Sequence, residues 1–313
     1  MTVSVAMATY NGAKHLRAQL DSIQSQTRLP DELVICDDCS LDSTVDLVTE
    51  FAKTATFQVL IVRNDARLGS TKNFEKAISL CTGDVIALCD QDDIWLPEKL
   101  ERQCAMLERD PGLGGVFSDA RLIDSQSQDT GKTLWQVNRF THAGQMKIHN
   151  GDMFSDAVTK WKALGCTMIF RASLVDKIIP IPERWDHDGW IAWIIAMYSR
   201  IDIIPEALIC YRIHPTQSCG VAPLSLSDHL QDRTDMYAKK ARLLSDLCDR
   251  IRAQHSPEAQ CFLAKVEEMI EYLRFRSNLP ENRMARVVQV MRNIANYRRF
   301  DSGWLSAFKD ITR

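Results

Sequence analysis

Three carboxylates crowd into four residues, Asp90-Gln91-Asp92-Asp93, where the apolar run from Val85 to Cys89 stops. Like charges this close repel one another and cost stability unless a cation sits among them. A hard divalent ion is the usual counter-charge, and Mg²⁺ is typically held by one or two carboxylates plus substrate phosphates. The pattern therefore predicts a metal–diphosphate site with Mg²⁺ or Mn²⁺ as cofactor. The plainer alternative is a polar loop ahead of the helix that Pro97 opens. Two other polar loops follow apolar runs, Thr9-Tyr10-Asn11-Gly12 and Asp37-Asp38-Cys39-Ser40. An Asp can accept from a pyrimidine N3–H, and a Thr hydroxyl can meet base or ribose. No G-x-G-x-x-G follows the first run, and no G-x-x-x-x-G-K-[ST] occurs, so a diphosphate here lacks a glycine cradle. It would need the metal and a basic side chain, for which Arg67 and Lys72 are the candidates.

Short apolar runs near 3–8, 33–36, 57–62, 85–89 and 115–117 read as buried strands. Between them, Leu16, Leu20 and Ile23, then Val45, Val48 and Phe51, then Phe74, Ala77 and Ile78, then Leu100, Cys104 and Leu107 recur at helical spacing. This alternation predicts an α/β fold, a mostly parallel sheet flanked by helices, whose ligands bind beyond the carboxyl ends of the strands. All three polar loops belong at that edge.

From about 119 to 165 the periodicity weakens, and Trp135, Phe140, Met146, Met153, Phe154 and Trp161 stand among polar residues. This stretch reads as a loop lining a sugar or acceptor cleft, or as an insertion. A strand is expected over 165–170. In Trp185-Asp186-His187-Asp188-Gly189-Trp190, Asp188 stands where an N-cap belongs, ahead of an amphipathic helix carrying Trp190, Trp193, Ile194 and Met197. A carboxylate there is suited to general-base work, with Asp186 the alternative. His187 is disfavoured because a free imidazole is partly protonated near neutral pH. Residues 223–313 have helical periodicity with Arg283, Arg286, Arg292, Arg298 and Arg299 interleaved among aromatics. Such a basic amphipathic end suits a peripheral contact with the inner membrane face, or a helical appendage packed on the catalytic domain or on a second subunit in a homodimer.

The 313 residues carry a net charge of −3, with no basic field for nucleic acid. The ten cysteines have no repeating spacing, as expected of reduced thiols. The N-terminus has no basic region or cleavage site, and no run is long enough to cross a bilayer, which predicts a cytoplasmic protein.

Ala8-Thr9-Tyr10-Asn11-Gly12, Asp37-Asp38-Cys39-Ser40 with Asp42-Ser43-Thr44, and Asp90-Gln91-Asp92-Asp93-Ile94-Trp95 with Pro97 resemble the three N-terminal motifs of family 2 glycosyltransferases. That family has the GT-A fold and includes bacterial rhamnosyltransferases of surface polysaccharide. The resemblance covers about residues 1–215. It implies that Asp38 contacts the base, that Thr9, Tyr10 and Asn11 lie near base and ribose, and that Asp90 holds the ribose and Asp92 the metal; it assigns Asp93 no role, and that residue reads as a structural neighbour of the site. It also places an Asp base near Asp188, although Gly189 stands where relatives often carry an aromatic. Tyr211-Arg212-Ile213-His214 resembles the end of the family's catalytic domain, which implies His214 on the metal and Arg212 on the phosphates. The activity implied is inverting, metal-dependent transfer of a sugar from dTDP-rhamnose or a UDP-hexose to a glycan or lipid-linked glycan. The expected division is 1–118 for the nucleotide-sugar half, 119–222 for the acceptor half with the base, and 223–313 for a helical appendage. A sugar nucleotidyltransferase, or a non-catalytic nucleotide- or glycan-binding module, is the alternative.

Overall fold

The computed structural model describes residues 1–151, 164–214, 234–254, 257–301 and 303–312. Met153, Phe154 and Trp161 of the aromatic stretch lie outside them. The described residues group into two compact units, 1–151 with 164–214, and 234–312.

The first unit opens with β1 (Val3–Thr9), α1 (Ala13–Gln24), β2 (Glu32–Asp37), α2 (Thr44–Ala52), β3 (Gln58–Arg63), α3 (Ser70–Leu80) and β4 (Val85–Cys89). These boundaries follow the apolar periodicity closely. Val3, Val5, Ala6 and Met7 are wholly buried, as a strand covered on both faces requires. Leu16, Leu20 and Ile23 form the buried stripe of α1, and burying each contributes about 1.5–3 kcal/mol. β3, β2, β1 and β4 are neighbours in that order and all parallel.

The chain continues through β5 (Ile94–Trp95), α4 (Lys99–Arg109), β6 (Leu113–Ile123), β7 (Asp129–Thr133), α5 (Leu134–Val137) and α6 (His142–His149). After a 3-10 turn over Gly165–Thr167 come β8 (Met168–Arg171), α7 (Val175–Ile178), α8 (His187–Tyr198) and β9 (Arg200–Arg212). The nine-stranded sheet runs β3-β2-β1-β4-β8-β6-β9-β5, with β7 on β6. Here simple alternation ends. β8 is antiparallel to both β4 and β6, and β5 is antiparallel to β9, while β6 and β9 are parallel. An apolar run encodes burial and not direction, so the sequence reading could place a strand near 165–170 without its sense.

The antiparallel β8 has a consequence for the site. Its N-terminal end, and the turn before it, reach the edge where β1, β2 and β4 have their carboxyl ends, since Ala87 pairs with Ile169. The amphipathic helix expected after Asp188 is instead buried nearly all round: Trp190, Ile191, Ala192, Trp193, Ile194, Ile195 and Met197 are all inside. It packs against β9, β6, α3 and α7, and a helix enclosed on every side has no solvent face to make polar. Its N-cap is Asp186, so Asp188 belongs to the first turn and not to the cap expected for it.

The second unit comprises α9 (Thr234–Gln254), α10 (Pro257–Ser277), α11 (Arg283–Arg292), α12 (Ile294–Phe300) and α13 (Trp304–Thr312). Its core holds a buried arginine. Arg276 donates to both Asp310 oxygens at 2.6 and 3.0 Å and to Asp301, and stacks over Tyr237 at 4.0 Å. Tyr297 donates its hydroxyl to Asp310 at 2.6 Å. The charge is thereby paired and hydrogen-bonded, as a buried ion requires. No helix of the described residues is long and apolar enough to cross a membrane.

Candidate active site

The loop after β1 is built to leave backbone and side chains facing the sheet edge. Asn11 adopts a left-handed backbone (φ 46°) and its amide oxygen accepts from Leu41 N–H at 2.8 Å, while Asn11 N–H donates to Ser40 Oγ at 2.9 Å. Cys39 is left-handed as well (φ 63°). Two such residues without a Cβ-free excuse mark loops held in shape by their partners. Thr9 is buried and donates its hydroxyl to Asp37 at 3.0 Å. Gln91 ties the first loop to the third: it accepts from Tyr10 N–H at 2.9 Å and donates to Tyr10 C=O at 3.0 Å. Gly12 is what lets it in, for a Cβ there would stand 2.1 Å from the Gln91 amide oxygen.

Asp38 is buried, and its carboxylate accepts from Leu68 N–H (2.7 Å), Gly69 N–H (2.9 Å) and Asn64 Nδ2 (3.0 Å). Of a carboxylate's four lone-pair positions, three are spent on shaping the 64–69 loop and one, on Oδ2, is left. That loop delivers Arg67, whose guanidinium lies 3.9 Å over the Tyr10 ring. Lys72 is not brought to the carboxylates. Its ammonium donates to Glu75 at 2.8 Å and to Ile181 C=O at 2.7 Å, linking α3 to the segment before α8.

The acidic loop separates into distinct roles. Asp93 is fully buried, and Oδ1 accepts from Arg212 N–H at 3.0 Å, while Oδ2 has no hydrogen-bond partner among the described residues. Arg212 is buried too, donating to Asp92 C=O (2.7 Å), Asp124 C=O (3.2 Å) and Ser127 Oγ (2.8 Å). It therefore pins the acidic loop to the turn after β6. Asp92 keeps some exposure and its Oδ2 lies 2.8 Å from His214 Nε2. The His214 ring stands 5.3 Å from that of His15 on α1.

Asp90 is half-buried, and burial, followed by the charges of Asp93, Asp92 and Asp188, holds its carboxyl well above the usual range. Burial and Asp92 push Asp93 the same way, partly offset by the Arg212 N–H. Ligand atoms of Asp90, Asp93 and Cys166 lie within 4.8 Å of one another. That trio is a poor cation cage. Burial raises the Cys166 thiol far above its ordinary value, and a soft thiol does not suit Mg²⁺ or Mn²⁺. Asp92 with His214 is the better oxygen–nitrogen pair: it keeps access to solvent and borders carboxylates whose mutual repulsion a cation would relieve. The residues present fit a divalent metal at that place.

Asp188 reaches the same cluster from the other side of β4. The turn before β8 holds it, with Gly165 N–H donating to Oδ2 at 3.2 Å and its neighbour Gly189 donating to Oδ1 at 2.6 Å. Burial raises its carboxyl from 3.8 to about 6, against the pull of these two N–H groups. His187 is held neutral by burial, lowered to about 4, and stacks on Phe74 at 3.9 Å with Nε2 unpartnered among the described residues. It is disfavoured as a base because burial leaves it a weak acceptor of the hydroxyl proton, not because it is half charged.

The tertiary structure thus brings Asp90, Asp92, Asp93, Asp188 and His214 to one edge, braced by Arg212, with Thr9, Tyr10, Asn11, Asp38 and Arg67 beside them, and ties Lys72 to Glu75 and the Ile181 carbonyl. The sequence reading passed over Gln91, His15 and Cys166. Gln91 had a signal, since it lies inside the acidic motif; the other two are recruited by folds of the chain that no local pattern marks.

A profile described as glycosyl transferase family 2 matches residues 4–178. The UDP-Glc:alpha-D-GlcNAc-diphosphoundecaprenol beta-1,3-glucosyltransferase WfgD of Escherichia coli is 30% identical over 218 residues, 69% of this chain and 78% of that protein. An uncharacterized glycosyltransferase of Nostoc is 28% identical over 218 residues, 68% of this chain, and the match spans 65% of that protein's length. Among solved structures, residues 1–349 of Staphylococcus aureus TarS in complex with UDP-GlcNAc superpose with a TM-score of 0.60 at 17% identity, covering 100% of this chain and 89% of TarS 1–349. The mannosyltransferase PcManGT of Pyrobaculum calidifontis, bound to GDP-Man and Mn²⁺, gives 0.57 at 16% identity, covering 99% and 86%. At such identities the two structures establish the shared fold.

Proposed function

From the premise that this chain belongs to glycosyltransferase family 2, we propose that it transfers a sugar from a nucleotide diphosphate donor to a glycan or lipid-linked glycan with inversion, using a divalent metal. Family membership sets aside the nucleotidyltransferase and binding-module alternatives. The observation that carries the finer reading is the meeting of Asp188 with the acidic loop: its carboxylate accepts from Gly165 N–H at 3.2 Å, and the next residue, Cys166, has its sulfur clustered with carboxylate oxygens of Asp90 and Asp93, all within 4.8 Å of one another.

Asp188 is the general base in this reading. A carboxylate with its proton affinity raised to about 6 remains ionised at neutral pH yet takes a proton more readily than an exposed Asp. The N–H groups of Gly165 and Gly189 hold its orientation and occupy two lone-pair positions, leaving others for an acceptor hydroxyl. As that hydroxyl attacks the anomeric carbon its proton passes to Asp188, and the bond to the donor phosphate breaks on the opposite face. Asp92 and His214 would hold the metal, which when bound neutralises charge on the leaving diphosphate as a Lewis acid. Asp93 and Arg212 keep the acidic loop in place. The remaining acceptor site of Asp38 serves a base N–H, with Tyr10 and Arg67 offering flat faces beside it.

The names of WfgD and of the TarS and PcManGT structures include UDP-glucose, UDP-GlcNAc and GDP-mannose, so the donor screen should span bases as well as sugars. The experiment is nucleotide diphosphate release from a panel of nucleotide sugars, with Mg²⁺, with Mn²⁺ and with chelator. Metal-dependent release and transfer that vanish in Asp188→Asn and Asp92→Asn support the reading. Undiminished transfer in either variant overturns the assignment of that residue.

A further inference from the structure

The second unit carries a surface that the transfer chemistry does not use. Of the twelve large apolar residues exposed among the described residues, six fall between 284 and 308: Met284, Val288, Met291, Trp304, Leu305 and Phe308. Such clustering is unlike the single scattered apolar residues of an ordinary surface. On α11 the first three recur at i, i+4 and i+7, opposite Arg286 and Val290, which face inward. On α13, which packs against α11, Trp304, Leu305 and Phe308 are each more than half exposed.

Within the same stretch of chain the exposed charges have one sign. The exposed charged residues of the described positions from 283 to 312 are Arg283, Arg292, Arg298, Arg299 and Lys309. The two acids of that span, Asp301 and Asp310, are turned inward and consumed by Arg276. The internal ion cluster thus removes both acids of that span from the outer surface. Arg298 lies 5.4 Å over the Trp304 ring, and Arg299 shares its charge with Glu268 at 2.7 Å.

We propose that α11 and α13 form a docking surface for an anionic lipid bilayer, with the apolar residues entering the headgroup–acyl boundary and the arginines meeting lipid phosphates. An amphipathic helix with exposed Trp, Leu and Phe and a cationic rim is the form that lies in such an interface. A second copy of this chain fits less well. A two-fold contact sets the same patch against itself, which would bring one net positive surface against another. The inference is independent of the transfer reading, because the surface binds or fails to bind whatever the catalytic residues do.

The test is flotation of the full chain with vesicles of phosphatidylcholine alone or mixed with phosphatidylglycerol, at low and high salt. Each cation near an anionic leaflet is worth about a fivefold change in partition. Binding to the anionic vesicles, weakened at high salt, and falling more than about tenfold in Arg292→Glu/Arg298→Glu and in Trp304→Glu/Phe308→Glu, is the expected result. Leu41→Glu, at an apolar position 88% exposed elsewhere on the chain, should bind like the parent. Helix content by circular dichroism identifies any variant that has unfolded, in which case Phe308→Ser replaces it. Absence of binding, equal binding to both vesicle types, or salt-insensitive binding overturns the proposal. So does a dimer in sedimentation equilibrium that Trp304→Glu/Phe308→Glu dissolves, which would assign the surface to a second copy.

Discussion

Replacing Asp188 by Asn should inactivate the enzyme while making the protein more stable, and the size of the second effect follows from the site. Burial raises the Asp188 carboxyl from 3.8 to about 6. A carboxyl held above its unfolded value binds its proton more tightly in the folded chain. Its contribution to stability is therefore best where it is protonated and declines as pH rises from near 4 to near 6, remaining as a cost above that. A shift of this size corresponds to about 3 kcal/mol at neutral pH. The half-buried position reduces it through solvent screening, to about 2 kcal/mol. Asn keeps one acceptor for the Gly165 and Gly189 N–H groups and loses the other, which returns about 1 kcal/mol. The net gain is about 1 kcal/mol, or roughly 2–4 °C in Tm for a unit of this size. The measurement is thermal unfolding of both proteins between about pH 4 and about pH 8, beside transfer rates on one batch. The gain should be present near neutrality and shrink toward pH 4, with transfer reduced about 10²–10⁴-fold. An Asp188→Asn protein less stable than the parent at neutral pH, or a stability difference flat across the range, would refute the account of a carboxylate kept basic by burial.

Other consequences are open to measurement. In the unsubstituted enzyme, kcat should rise with pH through about 6 as Asp188 ionises, and a flat profile between pH 5 and 7 would count against it as base. Asp92→Asn should weaken nucleotide binding in the presence of metal by calorimetry, whereas Asp188→Asn should leave that binding intact. Arg212→Ala removes three part-buried hydrogen bonds of a buried side chain and leaves a void, so it should destabilise by about 3 kcal/mol or more; a variant of parental stability with only a raised KM for donor would favour a phosphate role over the bracing one. Asp38→Ala should release the Leu68 and Gly69 N–H groups at a cost of about 2 kcal/mol and raise the proteolytic sensitivity of the 64–69 loop, which limited digestion would reveal.

Much of the site was legible because its residue types are costly anywhere else. Three acids at the end of an apolar strand, a Thr and an Asp at two more strand ends, and an acid ahead of an apolar helix all violate what a buried sheet edge wants unless a ligand is expected. Short apolar runs and the 3.6-residue periodicity then located β1 to β4 and α1 to α4, since those signals are local. Roles were harder to read than places. Lys72 was a plausible phosphate ligand by its charge and Arg212 by the family resemblance, yet each donates to a carbonyl delivered from a hundred or so residues away, Ile181 and Asp92. Asp38 read as a base contact and proved first to be a clamp on its neighbour loop.

By itself the sequence determined which segments are strands and helices, which strand ends carry acids, and which family supplies the chemistry, because these depend on side-chain type and short-range spacing. The tertiary structure alone decided the antiparallel sense of β8, and with it the arrival of Gly165 and Cys166 beside Asp90; the pairing of His214 with Asp92; and the burial that makes Asp188 a stronger base than an exposed Asp. Strand direction, desolvation and charge–charge coupling all arise between residues distant in the chain, so no window of the sequence contains them.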